Sequence, residues 1–231
     1  MPFRPRLIFA LALTYLAVFA YCSLAQATAA HGRTCKPVSQ RSEEVGCWIL
    51  ADDRVGTLTQ SSVYWALDEY PTRVAAQKAK GRRSTVLEAL GKVWLLSIED
   101  RKSEAAQRMR VAEIGPLVVI PGRNYSAEYM EAIFTPGMTA PEHTHSGPEA
   151  WYTVTGDTCL ESSDGRVQVG RAGAAPVIVP AGLAMHLTAT GTEKRRSLVL
   201  ILHPTALAAT TPVHDWTAKG LCKPVVRSGS R

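Results

Sequence analysis

The chain has 231 residues, 46% hydrophobic and 20% charged, with 26 Lys and Arg against 20 Asp and Glu for a formal net charge of +6. At roughly 100–200 residues per domain, this length holds one domain with an extension or two small ones, and the composition excludes a disordered or collagen-like chain. The basic residues are dispersed and form no aromatic-interleaved stripe, so nucleic acid is not an expected partner.

Arg4 and Arg6 precede an apolar run from Leu7 to about Ala20, and Ala25-Gln26-Ala27 supplies small residues at the spacing a signal peptidase reads. The competing reading is a membrane anchor, but the run falls short of the about 18 apolar residues a span requires. Cleavage after Ala27 is therefore expected. A lipoprotein site at Cys22 is disfavoured by bulky Tyr21 before it. Cleavage lowers the net charge from +6 to +4, leaves no stable membrane span, and sends the mature chain to a periplasm or the exterior.

Residues 28–45 are polar and read as loose. From Cys47 to Tyr70, short apolar and aromatic runs are split by Asp52-Asp53 and Gly56, which predicts two short strands. Pro71-Thr72, then RVAAQKAK and Gly81, predict a short helix with Pro near its start and Gly past its end. Ser84–Leu90 and 92–99, joined at Gly91, predict a hairpin. The charged segment 100–110 is either a loop or a solvated helical turn.

Beyond it the β signal strengthens through VAEIGPLVVIP, YSAEYMEAIFTPG, and segments around 149–160, 166–179, 183–190 and 196–202. Many short strands ending at Gly, Pro or Asp-Gly predict a sandwich or barrel. The terminal RSGSR is expected to be disordered.

With Cys22 removed, the mature chain keeps Cys35, Cys47, Cys159 and Cys222. In an oxidising compartment four cysteines can pair in three ways. Cys35 and Cys47 are close and flank a polar segment, while Cys222 could staple the tail to a strand carrying Cys159. The favoured pairing is Cys35–Cys47 with Cys159–Cys222.

Most of the chemistry lies between Gly137 and Gly156. His143 and His145 are two apart, so on a strand they share a face. If Ser146-Gly147-Pro148 closes a hairpin, His145 faces Glu149 and His143 faces Trp151, with all four side chains on one face. Two imidazoles and a carboxylate match the facial triad that holds non-haem Fe(II), with zinc and manganese also compatible.

The pattern Gly137-x5-His143-x-His145-x3-Glu149-x6-Gly156 resembles the first motif of the cupin superfamily. The resemblance implies an all-β fold, a small antiparallel jelly-roll barrel holding a divalent metal (Fe, Mn or Zn) in its mouth, over about residues 110–205. The remainder is expected to be a strand and helix extension packed on the barrel, or a degenerate second barrel. The division that follows is a signal peptide 1–27, an N-terminal extension 28–105, the cupin barrel 106–210 and a C-terminal tail 211–231. Pairing of cupins through barrel edges makes a homodimer an expectation of the same resemblance.

The second cupin motif, Gly-x5-Pro-x-Gly-x2-His, is matched with a slip. Pro180 and Gly182 are present, but Met185 takes the histidine position, His186 comes one residue late, and Gly173 lies seven residues before Pro180. A one-residue slip turns a strand side chain to the opposite face, whereas a bulge after Gly182 would turn His186 back inward. His186 is thus a fourth candidate ligand, with both readings open.

Tyr129 and Glu131 share one face of a strand, and Met130, Ala132 and Phe134 the other. Tyr129, Glu131 and His186 are the first candidates for a general base. Glu142 is expected on the face opposite His143, Trp151 beside the metal or in the core, and His203 at the surface. His31 and His214 have no partners at ligand spacing, and Asp157-Thr158 suit a turn.

Two functions fit: a metal-dependent enzyme acting on a small organic substrate (isomerase, lyase or dioxygenase type), or a non-catalytic barrel that captures a small ligand. Sequence alone leaves open whether the chain is an enzyme.

Overall fold

The computed structural model describes residues 35–103 and 109–223. The expected signal segment, His31, part of the charged 100–110 stretch and the terminal RSGSR lie outside the described residues.

Among the described residues, fifteen strands form three sheets. The chain runs β1 (Lys36–Pro37), a one-turn 3-10 helix (Val38–Gln40), β2 (Gly46–Leu58), β3 (Ser62–Tyr70), α1 (Arg73–Ala79), β4 (Ser84–Ala89), β5 (Lys92–Glu99) and β6 (Arg110–Val118). It continues through β7 (Arg123–Phe134), β8 (Thr139–His145), β9 (Glu149–Thr155), β10 (Asp157–Ser162) and β11 (Val167–Arg171). The last strands are β12 (Val177–Val179), β13 (Met185–Ala189), β14 (Arg195–Pro204) and β15 (Thr210–Pro212). The sheets are ordered β1-β2-β7-β14-β9-β12, β11-β10-β13-β8-β15 and β4-β5-β3-β6. All pairings are antiparallel except β1 with β2.

The first sheet is the shared middle layer, because β7, β9 and β14 bury both faces. Leu198, Leu200, Leu202, Ala127 and Tyr129 pack against Trp65, Leu67, Trp94 and Leu96 of the four-stranded sheet. The alternate residues Val199, Ile201, Met130, Ala132 and Trp151 pack against Leu160, Met185 and Leu187 of the five-stranded sheet, and this second core fills the barrel. A strand buried on both sides reads as a continuous apolar run, which explains LVLIL in β14. Each fully buried leucine there contributes about 1.5–3 kcal/mol.

The N-terminal elements follow local rules. Thr72 caps α1, its Oγ1 accepting from the Ala75 N–H at 3.1 Å. Ala76 sets the helix against Val86 and Leu95 on the outer face of the four-stranded sheet. The predicted β4–β5 hairpin turns at Leu90 and Gly91, both with positive φ (54° and 76°), as a two-residue turn following the right-handed strand twist requires.

Three expectations change. Asp52-Asp53 does not interrupt a strand: both lie within the 13-residue β2, which absorbs the polar stretch through register shifts at Ile49/Ala51 and Arg54/Gly56. Asp157-Thr158 opens β10 rather than forming a turn. Residues 28–105 also do not separate cleanly from the barrel, since β2 pairs with β7 in the barrel sheet and β6 pairs with β3 outside it.

Cys35–Cys47 and Cys159–Cys222 are disulfide-bonded, the pairing expected from the sequence. The first ties the start of the described chain to β2. The second ties the C-terminal segment to β10, where the Cys222 N–H also donates to Glu161 Oε1 at 3.1 Å. Among the described residues no helix is long and apolar enough to cross a membrane.

Candidate functional site

A cavity of about 200 Å³ opens between the middle sheet and the five-stranded sheet. His143, His145, Glu149 and Trp151 line it, as do Met130, Ala132 and Phe134. The Met130 face of β7 turns to the barrel, and Tyr129 and Glu131 turn away. Tyr129 sits in the opposite core against Trp65, where burial holds its hydroxyl well above the ordinary range. Glu131 accepts from the Leu90 N–H at 2.7 Å and pairs with Arg41 at 2.7 Å. Neither lines the cavity, so neither is placed to act as a general base there.

The expected hairpin does not form. β8 pairs with β13 and β15, whereas β9 pairs with β14 and β12, so Ser146-Gly147-Pro148 carries the chain from one sheet to the other. Gly147 is the enabling residue, because a Cβ there would lie 1.9 Å from the Leu202 carbonyl oxygen of β14. Both strands face the interior on either side of this corner, so His145 Nε2 and Glu149 Oε2 still meet, 3.6 Å apart.

The imidazoles are held from behind. His143 Nδ1 contacts the Pro141 carbonyl at 2.7 Å, and His145 Nδ1 contacts the Ala209 carbonyl and Thr210 Oγ1, each at 3.1 Å. A carbonyl can only accept, so the proton sits on Nδ1 and Nε2 is the nitrogen left for a ligand. Burial, reinforced by His145, holds His143 below its ordinary pKa. At Glu149 burial pushes the pKa up, but the attraction of His145 and His143 outweighs it and keeps the carboxylate ionised.

His145 Nε2 and Glu149 Oε2 are both buried without hydrogen-bond partners. This donor set, two imidazole nitrogens and a carboxylate oxygen, suits a divalent transition metal. Among the described residues, however, no group of three or more His, Cys, Asp or Glu side chains stands in ready ligand geometry.

His186 is not among the residues lining the cavity. Met185 and Leu187 are buried in the barrel core, which leaves His186 on the alternate face of β13. The register shift lies on the facing strand rather than after Gly182: Met185 pairs with His143 and Leu187 with Ala140, so the extra residue falls at Pro141-Glu142 of β8. It does not reorient His186. Glu142 is half-buried and accepts from the Ala218 N–H at 3.4 Å. His203 is buried rather than at the surface, with Nε2 3.5 Å from Asp52 Oδ1. His214 is exposed.

Sequence reasoning passed over Arg195, the first residue of β14, which is 1% exposed and lines the cavity. It lies in the charged run EKRRS, whose other cations Lys194 and Arg196 pair outward with Glu44. Extending the alternation of Val199 and Ile201 back by two steps would have pointed Arg195 inward.

The sheet order, with two antiparallel sheets closing over a cavity and the His-x-His strand and the glutamate strand meeting at one corner, is that of a jelly-roll barrel. The chain has the cupin fold. No family model and no curated protein matches it, while 128 chains of solved structures do. A cupin superfamily protein from Desulfitobacterium hafniense is 15% identical, covering 38% of this chain and 73% of that one at a TM-score of 0.30. A DMSP lyase from Ruegeria pomeroyi is 20% identical, covering 37% and 42% at a TM-score of 0.32. An oxalate oxidase is 23% identical, covering 46% and 55% at a TM-score of 0.32.

Proposed function

We propose that this cupin-fold chain is an exported protein that binds iron, manganese or zinc through His143, His145 and Glu149 and acts on a small organic substrate, by isomerase, lyase or dioxygenase chemistry. The observation that carries this reading is the orphaned pair at the corner, His145 Nε2 and Glu149 Oε2, buried and 3.6 Å apart. Buried polar atoms without partners are costly, and a shared cation relieves both at once.

A metal held by three side chains would polarise a substrate oxygen or bind O₂ at its open positions. The chain's own contribution is orientation and exclusion of water. The Pro141 and Ala209 carbonyls hold the two imidazoles, and Phe134, Trp151 and Val199 supply apolar walls. Export is supported by the two disulfides, which persist in a periplasm or outside the cell.

One observation favours a second reading, a non-catalytic barrel for a small ligand: the inward position of the second motif holds Met185, not a histidine.

Metal content of the full chain purified without added metal, compared with His143→Ala and His186→Ala, tests the proposal. One metal per chain, lost in His143→Ala and kept in His186→Ala, is the expected result. No metal in any sample, with none taken up on titration, overturns it in favour of the second reading.

A further inference from the structure

Arg195 is a buried cation for which the protein supplies no counter-charge at contact. Its Nε and Nη2 are buried without hydrogen-bond partners, and among the described residues no carboxylate forms an ion pair with it. Its guanidinium lies over the rings of Trp151 and Phe134, 5.2 and 5.4 Å from their centroids, and all three side chains line the same cavity. Burial lowers its pKa to about 10, against the opposing field of Glu149, so it remains charged at neutral pH.

A buried cation unpaired in this way is costly to keep, and its stacked rings hold the planar group in one orientation. Its backbone is equally constrained, since a Cβ on Gly156 would lie 2.7 Å from the Arg195 Cα. Adjacent Nε and Nη2 donors lie in one plane and match the two oxygens of a carboxylate side-on. The cavity volume of about 200 Å³ limits the occupant to a small molecule, larger than benzene by no more than a few atoms.

We infer that the cavity takes a small carboxylate, its two oxygens accepting from the Arg195 guanidinium and its carbon chain packing on Met130, Val199 and Ile201. This names the substrate class of the site proposed above and rests on that reading only for the metal beside it.

The test compares propionate with propionamide, its neutral match in shape, by calorimetry on the full chain stripped of metal with EDTA. Propionate binds at least tenfold tighter, Arg195→Met abolishes that preference, and Arg195→Lys retains part of it. Equal affinity for acid and amide in the unsubstituted chain overturns the assignment, and this comparison stands even if Arg195→Met does not fold. A preference seen only in metal-loaded protein that survives Arg195→Met belongs to the metal and also overturns it. Metal analysis of the same samples reads the proposed function separately: a metal-free chain with an Arg195-dependent preference sustains this inference while the metal reading fails.

Discussion

His145 Nε2 and Glu149 Oε2 come within 3.6 Å of each other from strands that belong to different sheets. What brings them together is the three-residue corner at 146–148, whose ends are pinned on both sides. Ser146 donates through its N–H to Ala209 and through its hydroxyl to Ala208, and the Leu202 N–H donates to the Pro148 carbonyl. The spacing His-x3-Glu thus encodes a crossing between layers.

Gly147→Ala should be among the most damaging single-methyl additions in the protein. The new Cβ would meet backbone at 1.9 Å, which no rotamer relieves, so a loss above about 4 kcal/mol is expected. Gly165→Ala is the control: it has φ of 83° but open space around it, and should cost about 1–2 kcal/mol. Urea denaturation of both variants checks the contrast, and similar losses would show that the corner tolerates displacement.

Thr210→Val keeps the size of the side chain and removes one of the two partners of His145 Nδ1. If His145 is a ligand, metal affinity should fall by about tenfold with little change in stability, as for other residues that orient a ligating imidazole. Competition with a chromogenic chelator measures this. Unchanged affinity would mean that the Ala209 carbonyl alone orients the ring.

The two disulfides should contribute unequally. They join residues 12 and 63 positions apart, and loop-closure entropy assigns about 3 and about 4 kcal/mol respectively. The Cys159→Ala/Cys222→Ala pair should therefore lower the urea midpoint more than Cys35→Ala/Cys47→Ala. The opposite order would mean that native contacts, rather than chain entropy, set their value.

His203 gives a pH dependence of definite sign. Burial lowers its pKa, but hydrogen bonding to Asp52 and the charges of Asp52 and Glu128 more than compensate, placing the folded value above 6.5. A raised folded pKa stabilises most below the unfolded value and loses its contribution as pH rises through the folded value. Asp52→Asn should therefore reduce stability by at most about 1 kcal/mol at pH 5.5, with a smaller difference from the unsubstituted chain at pH 8.5. Thermal unfolding across that range checks it, and a difference that grows with pH would refute the pairing.

Much of the fold was legible because it rests on local chemistry: the short helix between Pro71 and Gly81, the hairpin joined at Gly91, and the Cys35–Cys47 pair only 12 positions apart. The failures share a cause, which is that several strands serve two layers. Asp52 and Asp53 look like a break in an apolar pattern, yet β2 carries them on through bulges. Tyr129 and Met130 are neighbours with equal claim to the barrel, and only the presence of a second core decides between them. Arg195 was hidden for the opposite reason, as a charge among charges that one extra step of strand alternation places inside. The slip at Met185 and His186 was visible, but the compensating bulge sits on the facing strand, where no local signal in the second motif could reveal it.

The doubly buried middle sheet also limits how this protein can be divided. A version trimmed to the jelly roll would present Leu198, Leu200 and Leu202 to water as one greasy stripe, so the amino-terminal layer is the roof of the barrel wall rather than an ornament that evolution or an engineer could discard.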